Sequence, residues 1–558
     1  MMKGGFGDNP DYLPHPECHW HKPMDRAYAI AEIIRECHAR RGAVVYEDFH
    51  NCYALLMFFI QRYKLEIIVF ITGAAVMILE LTGSRIIAPY VGTSIFVWTS
   101  LIGVILGSLS VGYWWGGKLA DKGANFKTFS LIIFIAAVLT GATSIFSPLI
   151  LTIVSVLVKD VRLGSIMASI LLFAAPSIVL GMVSPYALRL KIRDVSNSGA
   201  VAGGLYAVST IGSIAGTFLG GFYLITLLGS AKILLFIAII LILTSFFAYY
   251  KKSVISLKTG IFIYFVILLA AFDFVNAYFS KGKIVDIDTH YNRVFVFETI
   301  DSSTQRPIRV MTTSFPQIES AMFLDDDNDL VAEYLKFFRI AGHFNPGSQK
   351  TLLIGGAGYS YPKDFLKRNP DAFMDVVEID PSLTALARRF FNIEENPRLA
   401  IYHEDGRTFL NRGGKKYDVI FMDAFKSIQS IPYQLTTAEA MKKAYEMLAN
   451  DGVLLLNIIS SIDGVKGRFF RAEYWTLKYV FPYVYVIPVA KPDNGNVAQN
   501  LLLIALKNKK EPLLESEIPE FNGYLSYLWK KEILRDMPLL TDDFAPVDNY
   551  ALASFKNH

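Results

Sequence analysis

Cysteine is nearly absent. Only Cys18, Cys37 and Cys52 occur in 558 residues, all within the first tenth of the chain, so no disulfide framework holds the fold. Charge is sparse as well: 19% of residues are charged against 53% hydrophobic, and the net charge is only +4. Soluble domains are usually less apolar than this. No concentrated Lys/Arg patch is found, so no nucleic acid is expected as a partner. The N-terminus lacks the short apolar core and small-residue site of a signal peptide. A loose Cys/His cluster there (His15, Cys18, His19, His21, Cys37, His38) has a spacing that matches no metal pattern, and no metal site is expected. Met57, directly before "FFIQRYKLEIIVF", is a candidate alternative start.

What is abundant is long apolar runs. Candidates lie near 65–84, 95–117, 129–150, 165–188, 203–228, 231–250 and 259–279. About 20 apolar residues cross a bilayer, and seven such runs in succession argue against buried helices of a soluble core. Gly and Ser recur inside them, as in "STIGSIAGTFLGG", which lets helices approach closely. Glu80 and Arg85 sit near the end of the first run. A charge within a span is a functional candidate by default; the plainer reading is that the two pair locally or that Arg85 already lies at the interface.

Lys and Arg collect in alternate loops: Arg62 and Lys64, then Lys118, Lys122 and Lys127, then Arg189, Lys191 and Arg193, then Lys251, Lys252 and Lys258. The positive-inside rule therefore places the N-terminus in the cytoplasm. Seven full spans would put everything after Phe279 on the other side. The last run carries Asp273 and Asn276 and also reads as interfacial or re-entrant.

After Lys281 the composition changes. "NRVFVFETI" and "IRVMTTS" read as two strands of a small β unit. A regular series follows: "KTLLIGGAGYS", "FMDVVEIDP", "LAIYHEDGRTFL", "YDVIFMDAF" and "GVLLLNII" are strands, with helices between. Such alternation predicts an α/β Rossmann-like domain with a parallel sheet covered on both faces. The chain thus divides into an N-terminal extension (1–64), a multi-span α-helical membrane domain (65–280), a small β unit (281–345), a nucleoside-binding catalytic domain (346–510) and a C-terminal segment (511–558).

Ligands of such sheets lie beyond the carboxyl ends of the strands. There stand Gly355, Gly356 and Gly358 after the first strand, Glu378 after the second, Asp405 and Gly406 after the third, and Asp423 after the fourth. Glycines admit a nucleotide closely. Glu378 suits two ribose hydroxyls, and Asp405 an adenine amino group. No Gly-Lys-Ser/Thr follows the glycines, so the loop is not a P-loop. Glu378 beside Asp380 would repel phosphates, and an S-adenosyl compound fits better.

These motifs, with "THYNRVFVFE", "IESAMFLDD", "LLIGGAGYSYPKDFL", "HEDGRTFL" and "GRFFRAEYWTLKYVFP", resemble the spermidine synthase family, the aminopropyltransferases, in its membrane-fused bacterial branch. The resemblance covers roughly Asp286 to Pro488. It implies a multi-pass inner-membrane protein with decarboxylated S-adenosylmethionine as donor co-substrate and no permanently bound cofactor. The acceptor it implies is a small polyamine, usually putrescine. Glu378 would hold the ribose, Asp405 and Gly406 the adenine side, and Gly355, Gly356 and Gly358 the loop against the donor. Asp423 would be the general base, and Tyr291, Asn292 and Tyr359 would contact substrate.

The chain departs from the family at Tyr359, where an acid usually follows the glycines. It departs again at Lys426, where a second Asp is usual, and at Asn292, where Gln is common; these bear on the acceptor. The family's members are often dimers. A donor made in the cytosol requires a cytoplasmic catalytic domain, and that requirement is weighed above the span count. Two other readings stand beside this one: a methyltransferase on the same sheet, and a transporter or sensor whose soluble domain binds nucleoside or polyamine.

Overall fold

The computed structural model describes residues 60–551, apart from short breaks at 93, 159, 193–196, 251–254, 280–283, 316, 425–430 and 509. The three cysteines, the Cys/His cluster and Lys426 lie outside the described residues.

Among the described residues, six helices are long and apolar enough to cross a membrane. They are α1 (Lys64–Val91), α2 (Ile95–Asp121), α3 (Phe126–Leu157), α4 (Val161–Lys191), α5 (Ser198–Leu224) and α6 (Ser230–Ala248). The last predicted run is a helix too, α7 (Ile255–Phe279), whose shorter apolar stretch is Leu257–Phe272. Helix starts follow capping chemistry. Asn125 accepts from Thr128 N–H at the head of α3, and Asp160 accepts from Arg162 and Leu163 N–H at the head of α4.

Small residues set the packing within the bundle. A Cβ on Gly212 of α5 would lie 2.2 Å from Phe70 O of α1, and one on Gly216 2.5 Å from Ala74 O. Helices α2 and α4 touch in the same way, where a Cβ on Gly112 would meet Ile178 O at 2.1 Å. Backbones this close gain dispersion contacts that lipid would not replace. Hydroxyls bond across the gaps: Thr143 donates to Leu172 O at 2.9 Å, and Ser144 to Ala231 O at 2.8 Å.

A four-stranded antiparallel sheet follows, in the order β1 (Ile284–Asp288), β2 (Arg293–Ile300), β3 (Pro307–Thr312), β4 (Ser320–Phe323). The sequence reading anticipated two of these strands. After the short helix α8 (Glu333–Phe337) comes the larger sheet. Its parallel core comprises β5 (Lys350–Ile354), β6 (Phe373–Val377), β7 (Leu399–Tyr402), β8 (Tyr417–Met422) and β9 (Leu448–Ser460).

The expected parallel sheet is present and is extended by two further strands. β10 (Tyr483–Pro488) and β11 (Gln499–Leu506) join antiparallel at the β9 edge, giving the order β10-β11-β9-β8-β5-β6-β7. The loop between them is too short for a crossover helix, so the chain can only return antiparallel. β5 has β6 on one side and β8 on the other, which makes its carboxyl end the topological switch point.

The soluble elements meet one end of the bundle, where α1 ends and α2, α4 and α6 begin. Phe315 N–H donates to Pro89 O at 3.0 Å. Arg162 donates to Asn549 at 3.1 Å, and Asp548 accepts from Ile95 N–H at 3.4 Å. Asp288 accepts from both the N–H and the hydroxyl of Ser230, each at 2.7 Å. Arg85 donates to the carbonyls of Thr289, at 3.2 Å, and His290. It reaches across to the β1–β2 turn from near the end of α1.

Candidate functional site

The switch point opens into a cavity of about 390 Å³. Six of the residues picked from the sequence line it: Gly355, Gly356, Glu378, Asp405, Gly406 and Asp423. Each stands where a parallel strand ends, and the parallel register brings those ends together.

Gly355 cannot be replaced without strain. Its φ is +100°, and a Cβ would lie 2.4 Å from Asp423 O. That contact brings the loop after β5 against the end of β8. The loop is pinned by Glu378, whose Oε2 accepts from the N–H groups of Gly356 at 2.9 Å and Ala357 at 3.0 Å. Its Oε1 accepts from Asp380 N–H at 2.9 Å. Three N–H donors hold a buried carboxylate at the cavity wall. Asp405 caps helix α11 (Gly406–Arg412; α9 is Ser360–Arg368 and α10 is Pro381–Phe390), its Oδ1 accepting from Thr408 N–H at 2.9 Å.

Asp423 is gripped on both oxygens. Oδ2 accepts from the Tyr334 hydroxyl at 2.9 Å, and Oδ1 from the Asn457 amide at 3.0 Å. Burial pushes its carboxyl pKa up, and these two hydrogen bonds pull part of the way back. The Tyr334 hydroxyl is pushed well up in turn, by burial first and then by the charges of Asp423 and Glu319. The side-chain oxygen of Asn457, Oδ1, is buried without a protein partner. The arrangement can hold a proton acceptor of raised basicity beside a nucleoside-sized space.

Four predicted residues do not line the cavity. Tyr359 adopts a left-handed conformation, φ 56°, which turns its ring into the core, where its hydroxyl bonds Thr384 of α10 at 2.6 Å. Gly358 lies behind the loop, its N–H donating to Ser320 Oγ of β4 at 2.9 Å. Tyr291 is 47% exposed, and Asn292, 8% exposed, stands in the β1–β2 turn with an unpartnered amide nitrogen. That turn is closed by Thr289 N–H donating to Asn292 O at 2.7 Å.

Sequence reasoning missed Tyr334, Glu319 and Asn457, all of which line the cavity. Asn457 had a signal: a lone amide in the apolar strand "GVLLLNII". Tyr334 had none, because its partner is 89 residues away in the chain.

Residues 332–489 match the family described as the spermine/spermidine synthase domain. A polyamine aminopropyltransferase of Vibrio vulnificus (strain CMCP6) is 26% identical over 303 residues, which is 51% of this chain and 97% of the relative. Another, from Chromobacterium violaceum, is 30% identical over 159 residues, covering 28% of this chain and 60% of the relative. A solved structure of a probable spermidine synthase from Corynebacterium glutamicum is 21% identical, covers 49% of this chain and 94% of its own, and has a TM-score of 0.37. Behind its apolar helices, the C-terminal part of this chain therefore carries a spermine/spermidine synthase domain.

Proposed function

We propose that the protein is a membrane-anchored aminopropyltransferase. It moves an aminopropyl group from decarboxylated S-adenosylmethionine to an amine of the polyamine class. The observation that carries this is Asp423, a carboxylate of raised pKa held by Tyr334 and Asn457 in the same cavity as Glu378 and Asp405.

An amine attacks only after losing its proton. Asp423 orients the acceptor and takes that proton, a contribution of ~10²–10⁴-fold for a positioned base. The amine lone pair forms the new C–N bond to the aminopropyl carbon that is bonded to sulfur. The C–S bond breaks, and its electron pair goes to sulfur. The sulfonium leaves as neutral methylthioadenosine, so no general acid is required. Glu378 receives the ribose hydroxyls with the acceptor capacity its three N–H bonds leave over, and Asp405 and Gly406 face the adenine. Tyr291 and Asn292 enter this reading as substrate contacts at the β1–β2 turn, outside the cavity wall. Tyr359 serves by fixing the loop.

Lipid anchoring rests on the six apolar helices. The donor is made in the cytosol, so the catalytic domain faces the cytosol in this reading. The Lys/Arg-rich loops lie at the opposite end of the bundle, and a positive-inside orientation would put the domain outside. A reporter fused at His558 reads the side directly, and activity only outside would remove the reading.

The deciding experiment is mass spectrometry of purified protein with decarboxylated S-adenosylmethionine and a panel of amines, Asp423→Asn beside it. Methylthioadenosine plus an aminopropylated amine, lost in the variant, is expected. Nucleoside binding without product from any amine would favour a sensor or transporter. Methyl transfer from S-adenosylmethionine would favour a methyltransferase.

A further inference from the structure

We infer that Arg85, on the first membrane helix, is a positioning residue for the nucleoside site. An unbroken line of hydrogen bonds leads from it to the glycine loop. The Arg85 guanidinium donates to two successive carbonyls of the β1–β2 turn, those of Thr289, at 3.2 Å, and His290. The Thr289 hydroxyl, buried, donates to Asp380 Oδ2 at 2.5 Å and accepts from the N–H groups of Tyr291 at 3.1 Å and Asn292 at 2.9 Å. Asp380 is fully buried. Its other oxygen caps α10 at Ser382 N–H, and its own N–H donates to Glu378 Oε1 at 2.9 Å. Glu378 then holds Gly356 and Ala357.

Each link is directional, and the two central carboxylates are buried, so neither can swing to water when its partner moves. The anchor is suited to its task. A guanidinium presents several donors in one plane and stays charged, so it fixes two adjacent carbonyls at once. The same turn is gripped from its other side, where Asp288 caps the first turn of α6 through Ser230. Helices α1 and α6 therefore set where the turn sits, and the turn sets the carboxylate that organises the donor loop. A soluble relative of the domain has no membrane helix to supply this contact.

The role rests on the nucleoside reading of Glu378 only for its ligand readout, and two measurements keep the two apart. The first is amide hydrogen exchange on the full chain in nanodiscs without ligand. Arg85→Ala speeds exchange at Gly356, Ala357 and Asp380 by about tenfold, with Arg85→Lys in between. Thr289→Val does the same from within the soluble domain, and Thr289→Ser restores protection. The second is calorimetric binding of methylthioadenosine. Its Kd rises about tenfold in Arg85→Ala and in Thr289→Val, and no further in the double variant, because both cut one line.

Wild-type exchange at those amides in Arg85→Ala and Thr289→Val overturns the inference. So do strictly additive losses in the double variant. Should Arg85→Ala fail to fold, Thr289→Val against Thr289→Ser decides alone. Faster exchange in the variants of a protein that binds no methylthioadenosine at all would sink the nucleoside reading and leave the positioning role standing.

Discussion

Removing one oxygen atom from Tyr334 tests whether Asp423 acts as a base. In Tyr334→Phe the ring and its edge contact with Phe338 remain, and only the 2.9 Å hydrogen bond to Asp423 Oδ2 is lost. That bond favours the ionised carboxylate, so its loss raises the pKa further. A hydrogen bond to a charged group is worth about 1.5–3 kcal/mol, and one pKa unit corresponds to about 1.4 kcal/mol. The full effect would be about one to two units. Asp423 is half-buried and Asn457 still donates to it, so water and the amide offset part of the loss. About one unit is expected.

The sign is fixed by the chemistry. A base works ionised, so the rate rises with pH through its pKa and then levels. Tyr334→Phe should move that rising limb about one pH unit upward and leave the plateau kcat within a few-fold. Methylthioadenosine release, followed across the neutral range with one saturating amine, reads both quantities. The titration of the amine substrate contributes equally to both proteins and drops out of the comparison. An unmoved limb with a lowered plateau would refute the reasoning and make Tyr334 a substrate contact.

Three further outcomes follow from the geometry. Glu473 is 0% exposed with both carboxyl oxygens unpartnered, and burial pushes its pKa well up. The folded state therefore keeps the proton after the unfolded chain has lost it at about pH 4.3. Stability falls by about 1.4 kcal/mol per pH unit above that value until the folded pKa is reached. Glu473→Gln flattens this slope in a series of Tm measurements against pH, and an unchanged slope counts against it. Gly355→Ala, at φ +100° and 2.4 Å from Asp423 O, costs at least ~1–3 kcal/mol of backbone strain and abolishes nucleoside binding; wild-type Tm and affinity together would contradict the close packing. Glu378→Gln sets an amide N–H₂ against backbone N–H donors, leaving one buried donor without a partner, a loss of about 1–3 kcal/mol visible as weaker methylthioadenosine binding by calorimetry.

The parts of this molecule that were legible in the sequence are those that repeat along it. The apolar runs delimit α1 to α6 because the length of an apolar helix is a property of consecutive residues. Glu378, Asp405 and Asp423 were legible because each ends an apolar strand, and parallel strands end on one side. Tyr334 was not, nor was the partner of Arg85, since each meeting spans distant chain and no local period encodes it. Tyr359 misled for a different reason. Its place after the glycines is that of a substrate contact, but its left-handed φ turns the ring into the core, and non-glycine residues seldom announce that conformation. The strand β11 escaped because the alternation of strand and helix breaks down after β10, which runs into it with no helix between.

The glycine seams of the bundle bear on inheritance as much as on packing. Helix α1 lies against α5 with no room for a methyl at Gly212 or Gly216, and the same helix carries Arg85 at its far end. A change of one atom in the apolar helical part would tilt the rod on which the turn is fastened. Genetic screens for lost amine transfer should therefore return alleles at these glycines beside those at Asp423. Such alleles would look, to anyone reading only the soluble half, like lesions without an address.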